Sequence, residues 1–156
     1  MSLKPYQEKI IQQMVTQENL LSRLYALFAQ QFPEFAEFWG ILSKEEETHS
    51  KLIEKLWEIE KKGLVFFDEG RVKTNTLNLL IGQLEEIVGK AEKRGFDLPA
   101  AFACAVDYES ALIEKEVFTR FDSLNKNIKG SLKRLQDETL KHVERIRHMQ
   151  KDARAK

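Results

Sequence analysis

Glu18, Glu46, His49, Glu109 and His142 are the residues of this chain whose types and spacing could do chemistry. Glu46 and His49 stand three residues apart in "KEEETHSK", residues 44–51, and His142 stands three residues after Thr139 in "DETLKHVERI". Positions i and i+3 lie side by side on a helix, so Glu-x-x-His offers one oxygen and one nitrogen ligand from a single face. Hard carboxylates combined with imidazole suit iron or manganese. All five residues fall where an apolar series should continue. Met14, Leu21, Tyr25 and Phe28 leave a slot at Glu18, and Leu42, Leu52 and Leu56 leave slots at Glu46 and His49. Phe102, Ala105, Leu112 and Ile113 bracket Glu109, while Leu132, Leu135, Ile146 and Met149 leave slots at Thr139 and His142. A buried Glu or His without a partner is costly, whereas the same groups around a metal ion are satisfied and deprotonated.

These slots also match in height. Two antiparallel helices joined by a corner bring together residues equally distant from it, at about 1.5 Å of rise per residue. Glu18 lies 15 residues before Pro33, and Glu46 and His49 lie 13 and 16 after it. A second corner near Asn125 puts Glu109 16 residues back and Thr139 and His142 14 and 17 forward. The spacings repeat: Glu18 precedes Glu46 and His49 by 28 and 31 residues, and Glu109 precedes Thr139 and His142 by 30 and 33. The pattern is that of a duplicated helical hairpin.

The elements that must position these residues are read from periodicity. Apolar residues recur at three- and four-residue steps through most of the chain, and Gly (7) and Pro (3) are scarce, which predicts an all-helical domain. The first helix is expected from Pro5 to Gln31, the second directly after the corner at Pro33, with Gly63 as its cap. Residues 64–76, "LVFFDEGRVKTNT", read as an extended crossover or small hairpin. A third helix is expected over Thr76 to Arg94, ending at Gly95, a fourth over Leu98 to Asp122, and a fifth from Ile128 or Ser131 onward. Two hairpins of long helices joined by a long crossover carrying an extra helix describe a four-helix bundle with one long connection.

Composition sets further bounds. The 156 residues suffice for one domain, 1–156, and 25 basic against 25 acidic residues leave no net field to draw nucleic acid or anionic lipid. A single cysteine, Cys104, excludes an internal disulfide and cysteine-pair metal centres, and fits a reducing compartment. With no apolar leader and no apolar span of about 18 residues, the expectation is a cytoplasmic protein without membrane contact.

On Glu18 in "QENLLSRLYALFA", Glu46 and His49 in "EETHSKLI", Glu109 in "ACAVDYESALIEKEVF" and His142 in "DETLKHVERI", the chain resembles the ferritin-like superfamily, and within it the rubrerythrin-like di-iron carboxylate proteins. The resemblance implies that these five residues are metal ligands for one or two ions of iron, or manganese. It also implies chemistry in which such centres reduce peroxide or dioxygen or oxidise ferrous iron. Two positions depart from the family pattern: Thr139 stands where a glutamate is expected, and Leu112 where an additional glutamate often follows the fourth-helix ligand. Glu138 is the carboxylate next to Thr139, about 100° away around the helix. No rubredoxin-like cysteine pairs occur, so the resemblance implies an external electron donor.

Rival readings remain open at this level. A register shifted by one would turn Glu45 or Glu47 inward and leave the charged run as a solvated face. The same five residues could form a hydrogen-bonded polar layer, a degenerate site in a non-catalytic interaction module. Tyr25 and Tyr108 read as core rather than redox residues, and Cys104 as a small buried filler. Phe32, Phe35, Phe38 and Trp39 read as packing, with a homodimer face as the sharper alternative. His148 reads as exposed, and the basic residues Lys141, Arg145, Arg147, Lys151, Arg154 and Lys156 as the ordinary complement of a helix C-terminus.

Overall fold

A computed structural model describes residues 5–60, 65–67, 74–114, 121–123 and 126–155. Apart from two three-residue strands and the short connections, the described residues are helical, in five long helices: α1 Pro5–Gln31, α2 Ala36–Glu60, α3 Thr74–Glu92, α4 Leu98–Glu114 and α5 Lys126–Ala155. A 3-10 turn, Pro33–Phe35, makes the corner between α1 and α2. Pro33 suits the first position of that turn because its missing N–H would have no partner there anyway. No helix among the described residues is long and apolar enough to cross a membrane.

The two pairs form as antiparallel partners: α1 packs along α2 and α4 along α5, with α3 laid against α1. Reciprocal hydrogen bonds fix the register of the first pair. Ser22 Oγ donates to the Ser43 carbonyl at 2.8 Å, and Ser43 Oγ donates to the Ser22 carbonyl at 2.7 Å. Small side chains let the two backbones approach, and each serine lies about one turn from a buried carboxylate, Glu18 on α1 and Glu46 on α2. Asp97 caps α4, its Oδ1 accepting from the Ala100 N–H at 2.8 Å, with Pro99 in the first turn. At the end of α3 the Gly95 N–H returns to the Lys90 carbonyl at 2.9 Å. Arg94 carries the positive φ of 57° there. Gly95 is required for space, since a Cβ on it would lie 2.7 Å from Lys90 Cγ and 3.1 Å from the Lys90 carbonyl oxygen.

The strands correct the sequence expectation. Residues 121–123 are not the end of the fourth helix; Phe121–Ser123 is a strand, β2, and Val65–Phe67 is another, β1. They pair antiparallel, Val65 opposite Ser123 and Phe67 opposite Phe121, so the extended part of 64–76 finds its partner far along the chain; residues 68–73 lie outside the described residues. Local periodicity cannot reveal this pairing, because a β-prone segment finds its hydrogen bonds wherever a partner backbone comes near. The expected cap at Gly63, the second corner at Asn125 and the side chains of Leu56, Ile113 and Leu132 lie outside the described residues.

One contiguous apolar cluster draws on all five helices. Its densest part is aromatic. Trp39 is fully buried, with ring centroids 5.5 Å from Tyr25, 5.0 Å from Phe28, 5.2 Å from Phe38 and 5.1 Å from Phe102. Phe35 meets Phe102 edge-on at 5.6 Å, so the stripe around the first corner packs inward against α4. Cys104 is half-buried rather than a buried filler. Its thiol is pushed up to about 11, first by burial and then by Asp107. Trp39→Ala is expected to lose about 3–5 kcal/mol by opening a cavity, against less than about 0.5 for Leu79→Ala at an exposed site. Chemical denaturation of the two variants checks this, and comparable losses would contradict the packing described.

Candidate metal centre

Above this aromatic layer the core turns polar. Glu18, Glu46, His49, Glu109, Thr139 and His142 are all at most 2% exposed, on four different helices. The register that places Glu46 inward is the one observed: Glu47 is exposed and Glu45 only partly covered. Burial of these groups is enforced by their apolar neighbours at i±3 and i±4, Leu21 and Met14 around Glu18, Leu42 and Ile53 around Glu46 and His49, Leu135 before Thr139 and Ile146 after His142.

Ligand atoms of Glu18, Glu46 and His49 lie within 4.8 Å of one another, and so do those of Glu46, Glu109 and His142. The two triads share Glu46. His142 Nδ1 is 3.0 Å from Glu109 Oε1 and 2.8 Å from Glu46 Oε1, and His49 Nδ1 is 3.3 Å from Glu46 Oε2. The two imidazoles stack with centroids 5.4 Å apart and planes 19° from parallel. Both direct Nδ1 toward Glu46. All five residues singled out from sequence are thus brought to one buried point.

Thr139 sits in the same layer but gives its hydroxyl to its own helix, Oγ1 donating to the Leu135 carbonyl at 2.9 Å. Glu138 does not take its place inside; its Oε2 instead accepts from His49 Nε2 at 2.5 Å. Tyr25 donates to Glu109 Oε2 at 2.9 Å, and the Tyr108 hydroxyl lies 3.0 Å from Gln17 Oε1 and 3.2 Å from the Leu80 carbonyl. Tyr25 therefore borders the polar layer as well as the aromatic core. Gln17, fully buried beside Tyr108, was not read from the sequence, and Glu45, offered there only under a shifted register, reaches the site from its partly covered position with Oε2 2.8 Å from His142 Nε2. A signal for Glu45 existed: it precedes Glu46 as Glu138 precedes Thr139.

The charges follow from crowding three carboxyls into a dry space. Burial, and then the charges of Glu46 and Glu109, raise Glu18 well above the usual carboxyl range. Glu46 goes the other way. Burial opposes its charge, but the close approach of the Glu18 carboxyl and of the His142 and His49 imidazoles outweighs that and holds it well below the usual value. Burial and the Glu46 charge raise Glu109. Burial disfavours charge on both imidazoles, yet their carboxylate partners raise them, Glu46 and Glu138 acting on His49, Glu109 and Glu46 on His142. Burial also keeps Tyr25 and Tyr108 as neutral phenols. Protons thus neutralise the cluster when nothing else does.

The residues fit a metal ion. Glu18 Oε2, Glu46 Oε1 and His49 Nδ1 are buried without a hydrogen-bond partner, and all three belong to the paired triads. Glu46 Oε1 is near His142 Nδ1 in distance but does not meet hydrogen-bond geometry with it. Unpartnered buried acceptors facing one another are unfavourable unless a cation lies between them. The donor set, three carboxylates and two imidazoles, is that of a hard to borderline divalent ion.

Comparison with protein-family models, with curated proteins and with solved structures finds no match to this chain. The reading therefore stands on its residues and their geometry. Because Glu18 and both histidines hold protons more tightly than usual in the metal-free protein, an entering cation must displace them. Manganese(II) binding is expected to release protons, and its affinity to rise with pH through and above the ordinary imidazole value of 6.5. Isothermal titration in buffers of different ionisation enthalpy counts those protons. Binding with no proton release and no pH dependence would contradict the assignment of charges.

Proposed function

We propose that the chain is a ferritin-like, rubrerythrin-like metal-binding bundle that holds one or two iron or manganese ions and supports peroxide- or dioxygen-linked redox chemistry. The observation that carries the reading is the pair of buried triads joined by one carboxylate. Glu18, Glu46 and His49 would hold one ion, and Glu46, Glu109 and His142 the other. When bound, the metal would supply the electrons that an oxidant such as peroxide or dioxygen accepts.

The chain's own part in such chemistry is electrostatic and protective. Three carboxylates in a buried layer favour the higher charge of an oxidised ion, and Glu46, placed between the triads, would couple the two positions. Tyr25 keeps a proton on its hydroxyl, 2.9 Å from Glu109 Oε2, and so limits how Glu109 can turn. The aromatic layer beneath excludes water from that side of the centre. Electrons would arrive from a separate donor.

Two variants test the reading. Protein grown with iron and purified without chelator is expected to hold one to two equivalents, and Glu46→Ala, which removes the shared ligand, to hold less than roughly a tenth of one. Wild-type protein equally free of metal would reject the reading. Thr139→Glu restores the carboxylate that the duplicated hairpin leads one to expect, and is expected to raise stoichiometry toward two; an unchanged value would show that Thr139 is not the limiting position.

A second reading is favoured by Thr139 itself. Its hydroxyl is committed to Leu135, so the second triad has one carboxylate fewer than its duplicated partner pattern implies. On that reading the bundle is a non-catalytic interaction module whose polar layer is held by protons, and Glu46→Ala alters neither metal content nor oxidase activity.

A further inference from the structure

Gln13 and Gln17 lie one turn apart on one face of α1, 8% and 0% exposed, and neither is among the candidate ligands. Each commits one end of its amide to another helix. Gln13 Nε2 donates to Asn78 Oδ1 on α3, and Gln17 Oε1 accepts from the Tyr108 hydroxyl on α4 at 3.0 Å. The same hydroxyl lies 3.2 Å from the Leu80 carbonyl of α3, so three helices meet at this point. The other ends, Gln13 Oε1 and Gln17 Nε2, are buried without a hydrogen-bond partner. Turning either amide over exchanges its donor for its acceptor and still leaves one buried end unpaired, which is unfavourable.

Water is the ligand that these two ends fit. Residues four apart on a helix have Cβ atoms about 5–6 Å apart, a gap that two hydrogen bonds of about 2.8 Å through one oxygen can span. Water both donates and accepts, so it pairs with an amide oxygen and an amide N–H together, whichever way the two amides lie. Buried polar groups that lack protein partners are the usual place for internal waters. An ion fits worse, because the node itself is made of neutral amides and a phenol that burial keeps protonated.

The node connects two environments. On its outer side Asn78 is exposed. On its inner side Gln17 directly precedes Glu18, and burial, followed by the charges of Glu18 and Glu46, raises the Tyr108 phenol, which sets it within electrostatic reach of the metal layer. A separate cleft of about 310 Å³, lined by Glu45, Thr48 and Glu138 among others, reaches the layer between α2 and α5, whereas the amide node reaches it among α1, α3 and α4. From this geometry we infer that Gln13 and Gln17 hold an internal water, and that this hydrated node beside α3 is an inlet through which water reaches the Glu18 side of the metal layer. The water site stands on the amide pair alone, whereas its role as an inlet rests on the metal-binding reading above.

Two measurements on the full chain test this. High-resolution diffraction from wild-type crystals is expected to show a water within hydrogen-bond distance of one amide atom of Gln13 and one of Gln17. Amides bonded directly to each other or to other protein groups, with no water between them, would overturn the inference whatever the metal content. Manganese(II) added to the protein reports on the inlet, because relaxation of bulk water protons at varied field and temperature gives the rate at which water at the ion exchanges with solvent. Gln17→Leu keeps bulk and removes the amide, and is expected to slow that exchange about tenfold, the effect of losing one hydrogen-bonded step from the path. Gln13→Leu is expected to act in the same direction. Manganese(II) affinity should be unchanged in both, since neither glutamine is a ligand, and Thr48→Leu in the α2–α5 cleft should leave the exchange rate at the wild-type value. Exchange that slows in the Thr48 variant and not in the glutamine variants would place the water route in the cleft and overturn the inlet. Protein that binds no manganese(II) would overturn the metal reading and the inlet with it, while diffraction from the wild type would still decide the water site, independently of whether any variant folds.

Discussion

One buried carboxylate, Glu46, is the point on which the site depends. It faces Glu18 on one side and the Nδ1 atoms of His49 and His142 on the other, and it is shared by both candidate triads. A charge so buried is tolerated only when positive partners surround it. In the metal-free chain those partners are protons, held on the neighbouring carboxyl and imidazoles at raised affinity; on the proposed reading a divalent ion takes their place. The same three-dimensional requirement therefore underlies the lowered proton affinity of Glu46 and the raised proton affinity of its neighbours.

The packing serves this point from two directions. The serine pair Ser22 and Ser43 locks the register of α1 against α2, and so fixes the height of Glu18 relative to Glu46 and His49. Tyr25 joins the layers: its ring stacks on Trp39 and its hydroxyl bonds to Glu109 on α4. The aromatic cluster at the first corner thereby holds the second helical pair against the first at the level where the ligands meet. Close-packed aromatics tolerate little displacement, so the polar layer above inherits a rigid base. The opposite, cleft-facing side is polar and partly exposed, with Glu45 and Glu138 beside the outer nitrogens of the two histidines.

Much of this was legible because a helix repeats. Glu18, Glu46, His49, Glu109 and His142 each break an apolar series of period 3.6, and their distances from two corners agree, which suffices to place them in one layer without any long-range information. What periodicity could not supply was contact between residues distant in sequence. Phe121 and Asp122 were expected to close the fourth helix, yet the backbone of Phe121–Ser123 pairs with Val65–Phe67. Tyr25 and Tyr108 read as ordinary core residues because a hydroxyl's partner is invisible in a helical wheel. Glu138 was weighed only as a substitute for Thr139, and Glu45 only under a shifted register, for a related reason: long side chains at the edge of a buried face can reach inward, and spacing specifies the Cα direction rather than the carboxylate's destination. Thr139 was visible as a departure from pattern, whereas its commitment to the Leu135 carbonyl was not.

A polar layer held by protons and one held by metal use the same residues, and differ only in what occupies the space between the two triads. Diffraction from crystals of protein produced with iron and never exposed to chelator, collected on either side of the iron absorption edge, addresses that space directly. The account predicts an anomalous difference peak within coordination distance of Glu46 and of at least one histidine Nδ1. Well-ordered Glu46, His49 and His142 with no peak between them, or a peak lying elsewhere in the molecule, would contradict it.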